Sequence, residues 1–271
     1  MDYKLLVLDL DGTLTNTKKE ITPRNLEVLI RAQQQGTKLV LASGRPTYGI
    51  APLADKLHME QFGGYILSYN GGEIIDWKTK KELYANVLPN AIIPQLYECA
   101  KQNKMAILSY DGDRVITENP DDEYVLKEAY LNKMEIRASN DFLSDLSLPV
   151  PKCLIVGDPE LLMTVESDLS IRLQGEISVY RSEPYFLELV PLGIDKAQSL
   201  AVLLDKLGMK REEMVAIGDG YNDLSMIQFA GLGIAMANAQ EPVKKAADYI
   251  TLSNDEDGVA AAVEKFFLVE K

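Results

Sequence analysis

Leu5-Leu6-Val7-Leu8-Asp9-Leu10-Asp11-Gly12-Thr13 is an unbroken apolar run that ends in two carboxylates, a glycine and a hydroxyl. Short continuous apolar runs mark strands buried on both faces, as in parallel sheets. Working outward, the same grammar recurs in residues 38–42 and 65–68, and again beyond residue 190 in 214–217, 232–235 and 249–252, with helical patterns between the runs. The first of those helices is well punctuated. Thr22 can cap it, Pro23 sits where a missing N–H does no harm, Gly36 suits the position after its end, and Leu26, Leu29, Ile30 and Gln33 repeat at helical spacing. Farther on, Asp195 can cap a helix that Gly208 ends.

The pattern changes in the middle of the chain. Residues 106–110 and 114–117 flank Asp111-Gly112-Asp113, which predicts a hairpin with a three-residue loop. Residues 153–156, 177–181 and 186–190 also read as strands, and Asp158-Pro159 opens another helix. The expected fold is therefore α/β: a doubly wound, Rossmann-like parallel-sheet core of residues 1–82 and 190–271, carrying an inserted α+β domain over 83–189.

Forty-one acidic against 28 basic residues give a formal net charge of −13, and no basic patch with interleaved aromatics is present, so nucleic acid is not an expected partner. The start Met1-Asp2-Tyr3-Lys4 does not read as a signal peptide, and no apolar stretch is long enough to span a membrane. A cytoplasmic protein without membrane contact is expected, with a monomer as the default oligomeric state. Cys99 and Cys153 form no metal-ligand spacing and read as free thiols, and the single histidine, His58, lies far from every motif, which argues against a Ser–His–Asp or Cys–His mechanism.

Three polar motifs fall at the same ends of the expected strands: Asp9 after the first, Ser43 after the second, and Asp219 after 214–218. In open α/β sheets, ligands bind at that carboxyl end. The residue types suit phosphoryl transfer. A carboxylate approaching a phosphate monoester meets repulsion of about 4 kcal/mol per pair of unit charges 4 Å apart at an effective dielectric of 20, so a Mg2+ ion is the expected cofactor. Asp9, the backbone carbonyl of Asp11 and the Asp219 carboxylate can hold it. Asp9 would attack phosphorus, and Asp11 would protonate the leaving alcohol and then activate water. Thr13 can orient Asp9. Ser43, Gly44, Lys196 and Asn222 can hold the phosphoryl group, and Asp223 can accept from metal-bound water or from Lys196. The stretch Gly218-x-Gly220-x-x-Asp223 is not a dinucleotide fingerprint, because its third glycine is an aspartate.

These motifs, Asp9-Leu10-Asp11-Gly12-Thr13, Ser43-Gly44-Arg45, Lys196 in Gly193-Ile194-Asp195-Lys196, and Gly218-Asp219-Gly220-Tyr221-Asn222-Asp223, together with Ser68-Tyr69-Asn70-Gly71-Gly72 and the ending Asn254-Asp255-Glu256-Asp257-Gly258-Val259, resemble the haloacid dehalogenase superfamily in its Cof-type, cap-bearing sugar-phosphatase branch. The resemblance spans essentially the whole chain. It implies a magnesium-dependent phosphatase of small phosphorylated metabolites, sugar phosphates foremost, working through an aspartyl-phosphate. Asp9 is then nucleophile, Asp11 general acid/base, Ser43 and Lys196 phosphate binders, and Asp9, Asp11 and Asp219 metal ligands, with the insert as a cap that sets specificity. Arg45, Asn70, Tyr110, Arg181 and Tyr185 are the specificity candidates, with Asp111 and Glu183 beside them. Two alternatives share the motifs: a capped phosphomutase, which returns the phosphoryl group to substrate, and a non-catalytic sensor of phosphorylated metabolites.

Overall fold

The apolar runs become strands. The computed structural model describes residues 3–268, and in it β1 (Leu5–Leu8), β2 (Lys38–Ala42) and β3 (Gly64–Ser68) are followed by two further strands, β4 (Glu73–Asp76) and β5 (Lys81–Ala85). An insert then carries β6 (Ala106–Asp111), β7 (Arg114–Thr117), β8 (Glu135–Ala138), β9 (Cys153–Val156), β10 (Ile177–Glu183) and β11 (Phe186–Pro191). The chain returns with β12 (Met214–Gly218), β13 (Leu232–Ala235) and β14 (Tyr249–Ile250). Two compact units result. One runs to Tyr84 and resumes at Asp195, and the other is Ala85–Ile194.

Among the described residues the first unit holds a sheet in the order β14-β13-β12-β1-β2-β3-β4-β5, parallel from β14 to β3 and antiparallel between β3 and β4. From β1 the chain steps to β2 and β3 on one side, and β12 to β14 fill the other. The strand order therefore reverses at β1, and such a switch point opens a crevice at the carboxyl ends of the strands. Both faces of the sheet are covered. Leu6, Leu8, Leu39, Leu41, Val215 and Ile217 pack with Val28, Leu29, Ile50, Ala54, Val259 and Val263, whereas Leu5, Val7, Val40, Ala42, Met214 and Ala216 pack with Leu200, Leu203, Leu204 and Met226. Alternate residues of each strand serve opposite faces, which is why these runs read as continuously apolar.

Local punctuation behaves as the sequence predicts. Thr22 accepts from the Asn25 amide at the start of helix Pro23–Gln34, and Asp195 accepts from Ala197 and Gln198 at the start of helix Lys196–Leu207, which Gly208 ends with φ +64°. Details differ. The buried face of the first helix is Asn25, Val28, Leu29, Ala32 and Gln33, so Leu26 and Ile30 sit half-buried at its margin. Asn25 takes a core position because its Oδ1 accepts from the Ala260 amide. The hairpin loop has two residues, Gly112-Asp113, because Asp111 still pairs with Arg114. The last strand stops at Ile250. β4 and β5 are not legible because their short runs carry Glu73, Asp76, Lys81 and Glu82, charges that on β5 suit a sheet edge and on both strands read as loop.

The second unit holds its own sheet, ordered β10-β11-β9-β6-β7-β8, antiparallel except between β7 and β8. One face packs Ile107, Ile116, Cys153, Ile155, Leu187 and Leu189 against helices Ile93–Gln102 and Pro159–Arg172, and both cysteines are buried as free thiols. A polar network is buried in the same unit. Lys152 Nζ meets Glu188 Oε2 at 3.0 Å, Ser182 donates to Glu188 Oε1 at 2.8 Å, and the Tyr110 hydroxyl and Asn132 Nδ2 donate to Glu128 Oε1 at 2.5 and 2.9 Å. Burial pushes the Glu128 carboxyl up, and the nearby Glu188 charge adds to this while Lys152 opposes it.

A buried pair stripped of one partner loses about 3–5 kcal/mol. Lys152→Met is expected to lose that much in urea denaturation, and the double change with Glu188→Leu to recover most of it. Because the folded pKa of Glu128 lies above its unfolded value, the stability it contributes is present at acid pH and lost as pH rises through the folded value. Glu128→Gln should therefore gain melting temperature relative to the unaltered protein as pH rises above the ordinary glutamate value.

Candidate active site

Asp9 leaves β1 with its amide donating to the Ile217 carbonyl at 3.0 Å, which fixes it at the carboxyl end of the neighbouring β12. The following loop is tied tightly. Leu10 O accepts from the amides of Thr13 and Thr15 and from the Thr15 hydroxyl. Gly12 adopts φ +88°, and a Cβ there would lie 2.4 Å from Asp219 Oδ2, so both the turn and the close approach of the two loops require glycine. Asn238 Nδ2 braces this turn through the Gly12 carbonyl at 2.8 Å, and Asn254 Nδ2 braces Thr15 O at 3.0 Å, while Asn238 Oδ1 accepts the Asn254 amide.

Lys196 is the first residue of its helix and only 1% exposed. Its ammonium donates to Asp9 Oδ1 at 2.7 Å, Asp223 Oδ1 at 2.6 Å and Ala42 O at 3.0 Å. A lysine has three donors, so all are taken. The sequence reading gives this residue a phosphate contact and names Asp223 as one acceptor; the structure shows the Asp223 contact and adds Asp9 and a strand-end carbonyl. Asp223 Oδ2 accepts from the amides of Asp219 and Gly220, each at 2.9 Å, so this side chain organises its own loop as well as Lys196.

Asp9, Asp219 and Asp223 form a cluster with one ligand atom of each within 4.8 Å of the others, able to coordinate a divalent cation. The charge balance supports the fit, with three carboxylates facing one ammonium. Burial, then the Asp223 charge, pushes Asp9 up to about 8 despite Lys196, and burial likewise pushes Asp219 up to about 6 against the Thr13 hydrogen bond. Burial would depress Lys196, but Asp223 and Asp9 outweigh it and raise it above the ordinary lysine value. Of the ligand candidates, Asp9 Oδ2 and Asp219 Oδ2 have no hydrogen-bond partner among the described residues, and both oxygens of Asp223 are occupied. Hard oxygen donors of this kind suit a small divalent ion.

Thr13 does not orient Asp9. Its hydroxyl donates to Asp219 Oδ1 at 2.8 Å, because the turn at Gly12 carries it past Asp9 to the opposite loop. The Asp11 carboxylate is not part of the acidic cluster. It turns instead to Arg45, accepting from Nε at 2.8 Å and Nη2 at 2.6 Å, and to Lys19 Nζ at 2.8 Å. Burial favours the neutral acid at Asp11, but Arg45 and then Lys19 overcome it and hold the carboxyl below the usual carboxylate range.

Ser43 is buried where β2 ends, its amide donating to Leu67 O and its hydroxyl accepting the Arg45 amide at 3.2 Å. Asn70 folds back over this turn. Its amide donates to Ser43 O at 2.9 Å, its Oδ1 accepts Asn222 Nδ2 at 3.1 Å, and a Cβ on Gly44 would come within 3.0 Å of its Nδ2. The predicted residues Asp9, Ser43, Gly44, Asn70, Lys196, Asp219, Asn222 and Asp223 are thus linked through the ends of β1, β2, β3 and β12.

Tyr110, Arg181 and Tyr185 belong to the second unit. Tyr110 is buried on Glu128 and serves packing, Arg181 Nε is paired with Glu166 at 2.7 Å, and Tyr185 stacks on Tyr124 with centroids 5.2 Å apart and contacts Lys127. Asp111 is paired with Arg137 at 2.8 Å, and Glu183 is exposed. Two braces escaped the sequence reading, Lys19 and Asn238, and Asn254 was read only as part of the ending motif without a role. Asn238 follows β13 by three residues, and that strand-end position was the available signal.

Among the described residues no helix is long and apolar enough to cross a membrane. The model of the haloacid dehalogenase-like hydrolase family matches residues 6–263. A solved haloacid dehalogenase-like hydrolase from Bacteroides thetaiotaomicron is 70% identical, with a TM-score of 0.96 over 98% of this chain and 100% of that one. A solved Thermotoga maritima protein is 29% identical, with a TM-score of 0.90 over 99% and 98% of the two chains. The 5-amino-6-(5-phospho-D-ribitylamino)uracil phosphatase YcsE of Bacillus subtilis is 31% identical over 274 residues, which is 99% of this chain and 97% of the relative. Sequence, doubly wound sheet and inserted second sheet agree, and the chain belongs to the haloacid dehalogenase-like hydrolase family, in its Cof-type branch of capped phosphatases.

Proposed function

We propose that this phosphatase is magnesium-dependent, acts on small phosphorylated metabolites, sugar or polyol phosphates foremost, and works through a phosphorylated Asp9. The observation that carries the reading is the state of Asp9: one oxygen is held by buried Lys196, the other is unpartnered, and Asp219 stands beside it at the sheet's switch point. A sensor of phosphorylated metabolites needs no such nucleophile poised against a cation site.

Asp9 Oδ2 attacks phosphorus, with Ser43 and the Gly44 amide gripping phosphoryl oxygens and Asn222 offering a side-chain donor. Asp9 and Asp219, with the Asp11 carbonyl, would hold Mg2+, which supplies the positive charge that lets a carboxylate meet a phosphate dianion. Thr13 orients Asp219, and Asp223 orients Lys196. Asp11 gives a proton to the leaving alcohol and recovers one from the water that hydrolyses the aspartyl-phosphate. The phosphoribityl substrates in the names of two Bacillus subtilis relatives, 31% and 29% identical, support a polyol phosphate here. The insert, proposed as the cap over 83–189, is assigned substrate choice.

Phosphate release from a panel of sugar phosphates, nucleotides and aryl phosphate should depend on magnesium and fall by about 10³-fold or more in Asp9→Asn. The melting temperature of that variant should stay within about 3 °C, equivalent to ~1 kcal/mol for a chain of this size. Retained turnover in Asp9→Asn would sink the nucleophile assignment, and a requirement for a bisphosphate activator would mark a mutase.

Cation binding has a separate readout. Magnesium at 100 times its dissociation constant should stabilise the protein by about 2.7 kcal/mol, and chelator should remove the gain. Asp219→Asn should shift the magnesium midpoint upward in the same thermal assay. A midpoint unchanged by that substitution would place the ion elsewhere.

A further inference from the structure

Asp11 carries more hydrogen bonds than a proton-shuttling carboxylate needs, and their distribution between its two oxygens is uneven. A carboxylate offers two lone pairs on each oxygen. Oδ1 accepts Arg45 Nη2 at 2.6 Å and Lys19 Nζ at 2.8 Å, so both of its positions are filled, whereas Oδ2 accepts Arg45 Nε alone at 2.8 Å and keeps one open. Arg45 is the fixed member of this group. Its side chain is 22% exposed against 62% for Lys19, its Nη1 reaches the Gly49 carbonyl at 3.4 Å, its amide is held by Ser43 Oγ, and its carbonyl accepts the Tyr69 amide. A two-point guanidinium grip sets the plane of a carboxylate, which a lysine's single point charge does not.

We infer that Arg45 is a positioning residue: together with Lys19 it locks the Asp11 carboxylate so that Oδ2 is the atom that exchanges protons with the leaving alcohol and the attacking water. This rests on the hydrolase reading above. In the first half-reaction the proton on Oδ2 passes to the leaving oxygen as the P–O bond to the alcohol breaks and the bond to Asp9 forms. In the second, Oδ2 takes the proton of the water whose oxygen bonds to phosphorus as the bond to Asp9 breaks. Arg45 keeps its charge and its protons throughout.

An aryl phosphate separates this role from substrate binding, since p-nitrophenolate leaves without a proton while hydrolysis of the intermediate still needs Asp11. With magnesium and p-nitrophenyl phosphate under rapid mixing, Arg45→Met should release a burst of one p-nitrophenolate per enzyme, followed by steady turnover about 30-fold or more below the unaltered enzyme, a large part of the ~10²–10⁴-fold that a positioned acid or base contributes. Arg45→Lys should also give a burst, with an intermediate steady rate. In an Asp11→Asn background, Arg45→Met should lower the steady rate by less than about 3-fold, because the two residues act as one unit. A loss without a burst, a rise in KM at unchanged kcat, or a full multiplicative loss in the Asp11→Asn background would overturn the inference alone. A lack of Asp9-dependent release in the unaltered enzyme would overturn the hydrolase reading and this inference with it.

Discussion

The site depends on one ammonium group placed where no solvent reaches it. Lys196 bridges Asp9 and Asp223 and takes its third acceptor from Ala42 O, so it joins the ends of β1, β2 and β12 through a single atom. A charge so buried is tolerable only with every donor satisfied and counter-charge in contact. These demands fix the position of the helix that carries it, and that helix begins where the chain re-enters the first unit at Asp195. The Asp195 cap sets the first turn, and the first turn delivers the lysine. An insert of 85–194 can therefore interrupt the sheet without loosening the site, because the return point is pinned by a fully buried lysine in contact with two carboxylates.

The same contact leaves a residue of negative charge. Lys196 balances one carboxylate of three, and the rest of the chain, at −13 overall, offers no compensating field. Attraction for a phosphorylated substrate has to be local. Asp219 is held ready by Thr13 and approaches the first loop so closely that only glycine fits at position 12. The close approach and the charge imbalance have a common cause, since carboxylates brought this near one another in a buried crevice require a further cation.

Much of this was legible in the sequence because strand burial and strand-end chemistry are local properties. β1, β2, β9 and β13 match the apolar runs residue for residue, and the caps at Thr22, Asp158 and Asp195 obey short-range rules. The motif residues of the first unit followed from their positions just past strands. Partner choice was not legible. Thr13 was expected on Asp9 and serves Asp219, and Lys196, for which Asp223 was one expected acceptor, also meets Asp9 and the Ala42 carbonyl. Both concern which of several nearby polar groups a side chain meets, and that depends on loop geometry linking residues far apart in the chain. The edge strand β5 and its neighbour β4 were hidden for a different reason, since their charges imitate a loop.

Asp9 and Asp11 are two residues apart, yet the protein treats them as separate electrostatic problems. Asp9 shares its lysine with Asp223 and is pushed up to about 8 by burial, while Asp11 owns an arginine fork and a lysine and is held below the ordinary range against the pull of burial. Without a cation these two shifts run opposite to the duties proposed, since a nucleophile has to be ionised and an acid has to hold a proton. The side chains divide the work by conformation: the apolar Leu10 between them is buried, and the turn at Gly12 follows. One carboxylate therefore faces the crevice and the other faces Arg45. A divalent cation held by Asp9 and Asp219 would supply the charge that one shared lysine lacks and would favour the ionised form that a nucleophile requires. Asp11 has its counter-charge already built into the turn that follows β2, which suits the base step, in which it takes a proton from water.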